Sequence, residues 1–166
     1  MRKVGYNPLP PMDELTVAVV ETARLAADQW DWPPRLYALA RRADLASFER
    51  GMSRRAKEAA PGTLIPIAQD ALPEGEPTRV LASIQWPPSV PGCVLVTEVR
   101  IVPSNDRQQE RQARLSVGVL RKGGKAVQYT CCLQERGSDE LIISADLADD
   151  LVTALLGTLS PSATAT

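Results

Sequence analysis

Cys93-Val94-Leu95-Val96-Thr97-Glu98-Val99-Arg100-Ile101-Val102 is the stretch whose reading decides the fold. It opens after Pro91-Gly92 and is rich in β-branched residues, so it reads as a strand. Alternation puts Thr97, Val99 and Ile101 on one face and Val96, Glu98, Arg100 and Val102 on the other. The second face is half polar and is expected to meet solvent or a partner. If it is covered, Glu98 and Arg100 must be paired.

Downstream, residues 103–113 are polar and read as a loop. Ser116 to Leu120 and Ala126 to Leu133 flank Lys122-Gly123-Gly124-Lys125, which reads as a hairpin because paired glycines supply the positive φ of a tight turn. Leu141 to Ser144 is one more short strand. Asp146 to Leu159 is helical, with Leu147, Leu151, Ala154, Leu155 and Thr158 on one face and Asp146, Asp149 and Asp150 where the helix dipole favours acids.

Upstream, Pro11 and Asp13 start a helix over 13–30, in which Leu15, Val19, Thr22, Ala23, Ala26 and Trp30 follow steps of three and four. Arg35 to Arg41 reads as a strand, with helix the alternative. Asp44 starts a short helix through Leu45, Phe48 and Met52. Thr63 to Ala68, carrying Pro66, suits an edge strand. Pro77 suits the first turn of a brief helix leading to Val80, Leu81 and Ile84, with a strand over 79–85 the alternative.

Strands cluster late and as hairpins, and no βαβ unit repeats. The expected class is α+β. It is one domain over 12–159, mainly an antiparallel sheet with a β-hairpin at about 115–133, packed by N- and C-terminal helices. Residues 1–11 read as an irregular arm and 160–166 as a disordered tail.

Trp-Pro-Pro occurs at 32–34 and again at 86–88, although tryptophan, tyrosine and phenylalanine supply only 4% of the chain. A proline pair removes two backbone donors and holds the preceding residue out of helical geometry. Each tryptophan is expected to plug the core where the chain turns.

The chain has 166 residues and a net charge of −1, with 44% apolar and 23% charged residues. This is ordinary globular composition, with no overall pull toward nucleic acid or anionic membrane. No leader or spanning segment is read, and three cysteines suit a reducing compartment, so the expectation is cytoplasmic. Histidine is absent. That removes the commonest general base and metal ligand, together with Ser-His-Asp and Cys-His arrangements within the chain.

The remaining candidates each have a plainer reading. Cys131 and Cys132 are adjacent on a strand and point to opposite faces, so with Cys93 they read as small hydrophobes. Lys122-Gly-Gly-Lys125 lacks Walker spacing and joins two strands. Basic residues gather between Arg35 and Lys57, including Arg41, Arg42, Arg54 and Arg55. Acidic ones gather between Glu135 and Asp150, and the two groups suit pairing within one molecule or head to tail. The basic segment also has the plain reading of a solvated helix face.

Four features together resemble a family of small actinobacterial proteins without assigned function. They are Asp31-Trp32-Pro33-Pro34-Arg35-Leu36-Tyr37-Ala38-Leu39, then Ile84-Gln85-Trp86-Pro87-Pro88-Ser89-Val90-Pro91-Gly92-Cys93, then Val117 to Arg121, and the closing helix. The resemblance covers roughly 13–159. It implies fold and localisation and carries no catalytic residue.

The expected function is a noncatalytic, chaperone- or adaptor-like protein-interaction module. Its contact candidates are Arg41, Arg42, Arg54, Arg55, Glu98 and Arg100. The partner is protein, a second copy included, with no cofactor, no metal and no membrane insertion. The alternative is a small-ligand binder or histidine-independent enzyme around Glu98, Arg100, Tyr129 and Cys131. A weak nucleic-acid binder using residues 41–57 comes third.

Overall fold

The computed structural model describes residues 13–45, 59–102, 109–122 and 125–160. The arm expected at 1–11, the helix expected to follow Asp44 beyond residue 45, the turn expected at Gly123-Gly124 and the tail expected over 160–166, from residue 161 on, lie outside them. Helices α1 (Glu14–Leu25), α2 (Pro77–Leu81) and α3 (Asp149–Leu159) accompany six strands. These are β1 (Arg35–Arg41), β2 (Leu64–Ala68), β3 (Gly92–Ile101), β4 (Arg111–Lys122), β5 (Lys125–Glu135) and β6 (Ile142–Ser144). The strands form one sheet in the order β2-β1-β3-β4-β5-β6. Every neighbouring pair is antiparallel, which makes the chain an α+β single domain.

β3 lies inside the sheet, as its β-branched run predicts. Val94 and Val96 meet α1, Leu15, Val19, Tyr37, Leu39 and Leu120 on one face. Cys93 and Leu95 meet Leu36, Val117, Val119, Leu151 and Leu155 on the other. Each face therefore has its own core, one under α1 and one under α2 and α3. The predicted edge strand is confirmed at β2. Arg35–Arg41 is a strand and Pro77–Leu81 a helix, which settles both open choices.

Asp13 caps α1 by accepting a 2.7 Å bond from the Thr16 N–H. Its core face is Leu15, Ala18, Val19, Thr22 and Ala23. The helix reaches close to β4 because position 118 is glycine. A Cβ there would stand 2.3 Å from Val19 Cγ2. The helix stops at Leu25 rather than residue 30, and Trp30 is half-buried beyond it instead of riding its core face.

Three further expectations fail. β4 begins at Arg111, inside the stretch expected to be loop. Its polar residues Gln112 and Arg114 face side chains and carbonyls that pair with them, which offsets part of the cost of a polar strand here. α3 begins at Asp149, and Leu147 is exposed before it rather than on its inner face. Trp32 is 46% exposed and no core plug. Its ring stacks on the Arg35 guanidinium at 4.6 Å. Trp86 does pack against the core under α3.

Candidate functional site

Two places stand out in the fold: a polar knot where α1 hands over to β1, and the β6 edge of the sheet. The knot begins with the end of α1, whose last carbonyls have no partner within the helix. Arg114, 2% exposed, donates from Nη1 to the Ala26 carbonyl and, at 3.4 Å, to that of Ala27. Its Nη2 donates to Gln134 Oε1 at 3.1 Å. The guanidinium lies 4.4 Å from the Trp30 ring, and that of Arg136 lies 5.4 Å from it. Burial pulls the Arg114 pKa down, opposed by the charges of Glu98 and Asp28.

Asp31 follows in the left-handed region, φ 68°, a conformation that aspartate tolerates better than most residues. Its carboxylate accepts from Gln112 Nε2 at 3.0 Å and Arg136 Nη1 at 3.1 Å, and both bonds hold its pKa below the ordinary value. Glu98 closes the turn. Its Oε2 accepts from the Asp31 and Trp32 N–H groups and its Oε1 from Gln112. The face expected to meet solvent or a partner is thus covered at Glu98, and the expected pairing is with backbone N–H groups.

The second Trp-Pro-Pro is held by the opposite charge. Prolines offer carbonyls and no N–H. Arg121 donates to the carbonyls of Trp86, Pro87 and Val90 at 3.0–3.2 Å. One junction is tied by a carboxylate and the other by a guanidinium, each reaching from a neighbouring strand.

An open depression of about 490 Å³ borders the knot, lined by Arg111, Gln112, Glu135, Arg136, Gly137 and Ser138. Its cations are engaged: Arg111 with Glu135 at 3.2 Å, Arg136 with Asp31 and Gln112. These bonds make the knot a clamp fastening the α1–β1 turn to the sheet.

The interaction candidates are scattered. Arg41 pairs with Glu14 and donates to the Gly62 carbonyl at 2.9 Å. Arg42 opens a 3-10 turn after β1. Exposed Arg100 pairs with Glu110 at 3.3 Å. Arg54 and Arg55 lie outside the described residues. The cluster considered for an enzyme is divided by the sheet: register puts Glu98 and Arg100 on the α1 side, and Tyr129 and Cys131 on the α3 side. Cys93, Cys131 and Cys132 are free and buried. Burial pushes all three thiols up, Cys93 to about 11 against weak bonds from Thr158 and Trp86. Among the described residues no group of three or more metal-ligating side chains converges. No described helix is long and apolar enough to cross a membrane.

The β6 edge has a different character. Four of the eight large hydrophobics exposed among the described residues, Tyr129, Ile142, Ile143 and Leu147, lie on β5, β6 or the turn that follows, and the others, Val17, Leu25, Trp32 and Val102, lie apart from this edge. Around them Asp139, Glu140, Asp146, Asp149 and Asp150 are exposed. None forms an ion pair among the described residues. The described basic residues Arg41 and Arg42 lie at the end of β1, four strand positions away and about 19 Å across the sheet. The helical spacing of Leu147 points it to the inner face of α3, but α3 begins only at Asp149, which leaves Leu147 at the β6 edge. The acidic run from Glu135 to Asp150 was the available signal.

The family model described as PPA1309-like protein matches residues 15–160, and the chain belongs to that family. No curated protein and no solved structure matches the chain.

Proposed function

We propose that this protein is a noncatalytic protein-binding module whose contact surface is the β6 edge. The observation that carries the reading is that Tyr129, Ile142, Ile143 and Leu147, each 39–45% exposed, share one edge of the sheet, with Ile143 on one face and Ile142 on the other. Soluble proteins seldom leave several large apolar side chains together in water unless something covers them. The division of Glu98 and Arg100 from Tyr129 and Cys131 supports the noncatalytic part of the reading. Cytoplasmic location and actinobacterial origin belong to the same proposal. The three unpaired thiols support the first, and the resemblance of the Trp-Pro-Pro segments supports the second.

The test is capture of a stoichiometric partner from the native host by tagged protein, repeated with two variants. Ile142→Ser with Leu147→Ser removes apolar contact at the β6 edge. Arg54→Glu with Arg55→Glu reverses charge in the basic segment. Loss of capture in the first and retention in the second is expected. Retention in the first would overturn the reading.

A further inference from the structure

The two edges of the sheet differ in what their backbones offer. Bonds of Gln69 N–H to Leu36 O at 3.0 Å and Arg42 N–H to Thr63 O at 2.8 Å set the phase of the β1–β2 ladder. In an antiparallel pair, bonded and unbonded positions alternate. Leu39 and Pro66, which face each other, are then an unbonded pair, and the Pro66 nitrogen points outward. It carries no hydrogen, so the β2 edge lacks a donor at its centre, a common protection against strand addition.

The same reasoning gives the opposite result at β6. Arg136 N–H bonds to Gln112 O at 2.9 Å, so β5 residues 130, 132 and 134 turn toward β4, and 131 and 133 toward β6. The pairs Cys131–Ser144 and Leu133–Ile142 are the bonded ones, which leaves the N–H and C=O of Ile143 directed away from the sheet. No proline stands in β6. Side chains of Ile142 and Ile143 point to opposite faces beside this free pair, and both are exposed.

Resting on the binding-module reading, we propose that the partner supplies an extended, cationic segment that adds to the sheet beside β6. Ile143 provides its backbone bonds, and apolar side chains of the segment cover Ile142, Ile143 and Leu147. Lysines or arginines meet Asp139, Glu140 and Asp146. Strand addition draws affinity from main-chain bonds and selectivity from side chains on either face. Charge favours this occupant over a second copy of the chain placed β6 against β6, which would set unpaired carboxylates against each other.

The probe is a blocked nonapeptide of alternating lysine and valine, compared at low salt with its glutamate-for-lysine counterpart. Binding is followed by NMR, and exchange of the Ile143 amide by deuterium. The lysine peptide is expected to bind at least about tenfold tighter than the glutamate peptide and, at saturation, to slow Ile143 exchange. Ile143→Pro should abolish binding while retaining the β5–β6 ladder, since its nitrogen faces outward. A second variant, Glu140→Lys with Asp146→Lys, keeps the backbone and should reverse the preference. No binding, no charge preference or an unprotected Ile143 amide would overturn the proposal. So would a homodimer that protects Ile143 without peptide. If these fail while Ile142→Ser with Leu147→Ser still loses the host partner, only the cationic strand is refuted. If that variant also retains its partner, the module reading falls with it.

Discussion

Gly118→Ala is expected to destabilise the protein by about 1–2 kcal/mol net, through the contact between α1 and β4. The new Cβ would stand 2.3 Å from Val19 Cγ2, 3.2 Å from Leu15 Cδ1 and 3.5 Å from Val94 Cγ2. Carbon atoms are comfortable at roughly 3.5–4.0 Å, so Val19 must move. A helical valine has one strongly preferred rotamer, which leaves lifting of α1 as the alternative. Overpacking of this kind costs about 1–3 kcal/mol. Replacing a strand glycine returns about 0.5–1 kcal/mol of backbone entropy, which gives the smaller net figure. Val19→Ala alone should cost about 2 kcal/mol for two buried methyls and the space they leave. Combined with Gly118→Ala it removes the clash, so the double variant should be more stable than the sum of the singles by about 1 kcal/mol. Urea unfolding with an unchanged m-value measures all three. A Gly118→Ala protein as stable as the original, or strictly additive effects, would refute the close approach of helix and sheet.

Glu98→Ala leaves the Asp31 and Trp32 N–H groups without their carboxylate and should cost about 1–3 kcal/mol in thermal or urea melts, with partner capture unchanged. Loss of capture without loss of stability would restore Glu98 as a contact. The two Trp-Pro-Pro tryptophans should separate: Trp86→Ala costs about 2–4 kcal/mol, because the ring packs on the core, and exposed Trp32→Ala less than about 1 kcal/mol. Equal losses would contradict their placement. The thiols should resist Ellman's reagent until the chain unfolds. Unfolded cysteine ionises near about 8.5, and folded Cys93 only at about 11. Burial raises Cys131 and Cys132 as well. Their contribution to stability is therefore full below the unfolded value and declines as pH rises through the interval above it. Melting temperature should fall from pH 8 to pH 10, by less in Cys93→Ala, and an equal fall in both would remove Cys93 as a cause.

The strands that build the cores were legible wherever side chains carried the usual signals. The β-branched run of β3, the glycine pair between Lys122 and Lys125 and the proline of β2 each marked its element correctly. What escaped was structure held by polar side chains over long distances. The strand character of Arg111 to Leu115 depends on Gln112 and Arg114 finding partners near residues 26–31, more than eighty positions away. No local pattern announces such pairing. Trp30 continued the spacing of α1, but the chain leaves the helix once Arg114 takes the Ala26 carbonyl and Glu98 the Asp31 and Trp32 amides. Trp32 looked like a core residue by composition alone; its exposure follows from the turn that Glu98 holds. The β6 edge was hidden for a related reason. Leu147 fits the spacing of α3, yet the helix starts two residues later.

The most direct measurement for the central claim is hydrogen–deuterium exchange of the protein with and without its captured host partner. The account predicts that protection concentrates on residues 141–147, at the β6 edge, with the basic segment 35–57 unchanged. Protection confined to 35–57, with 141–147 exchanging as in the free protein, would contradict it.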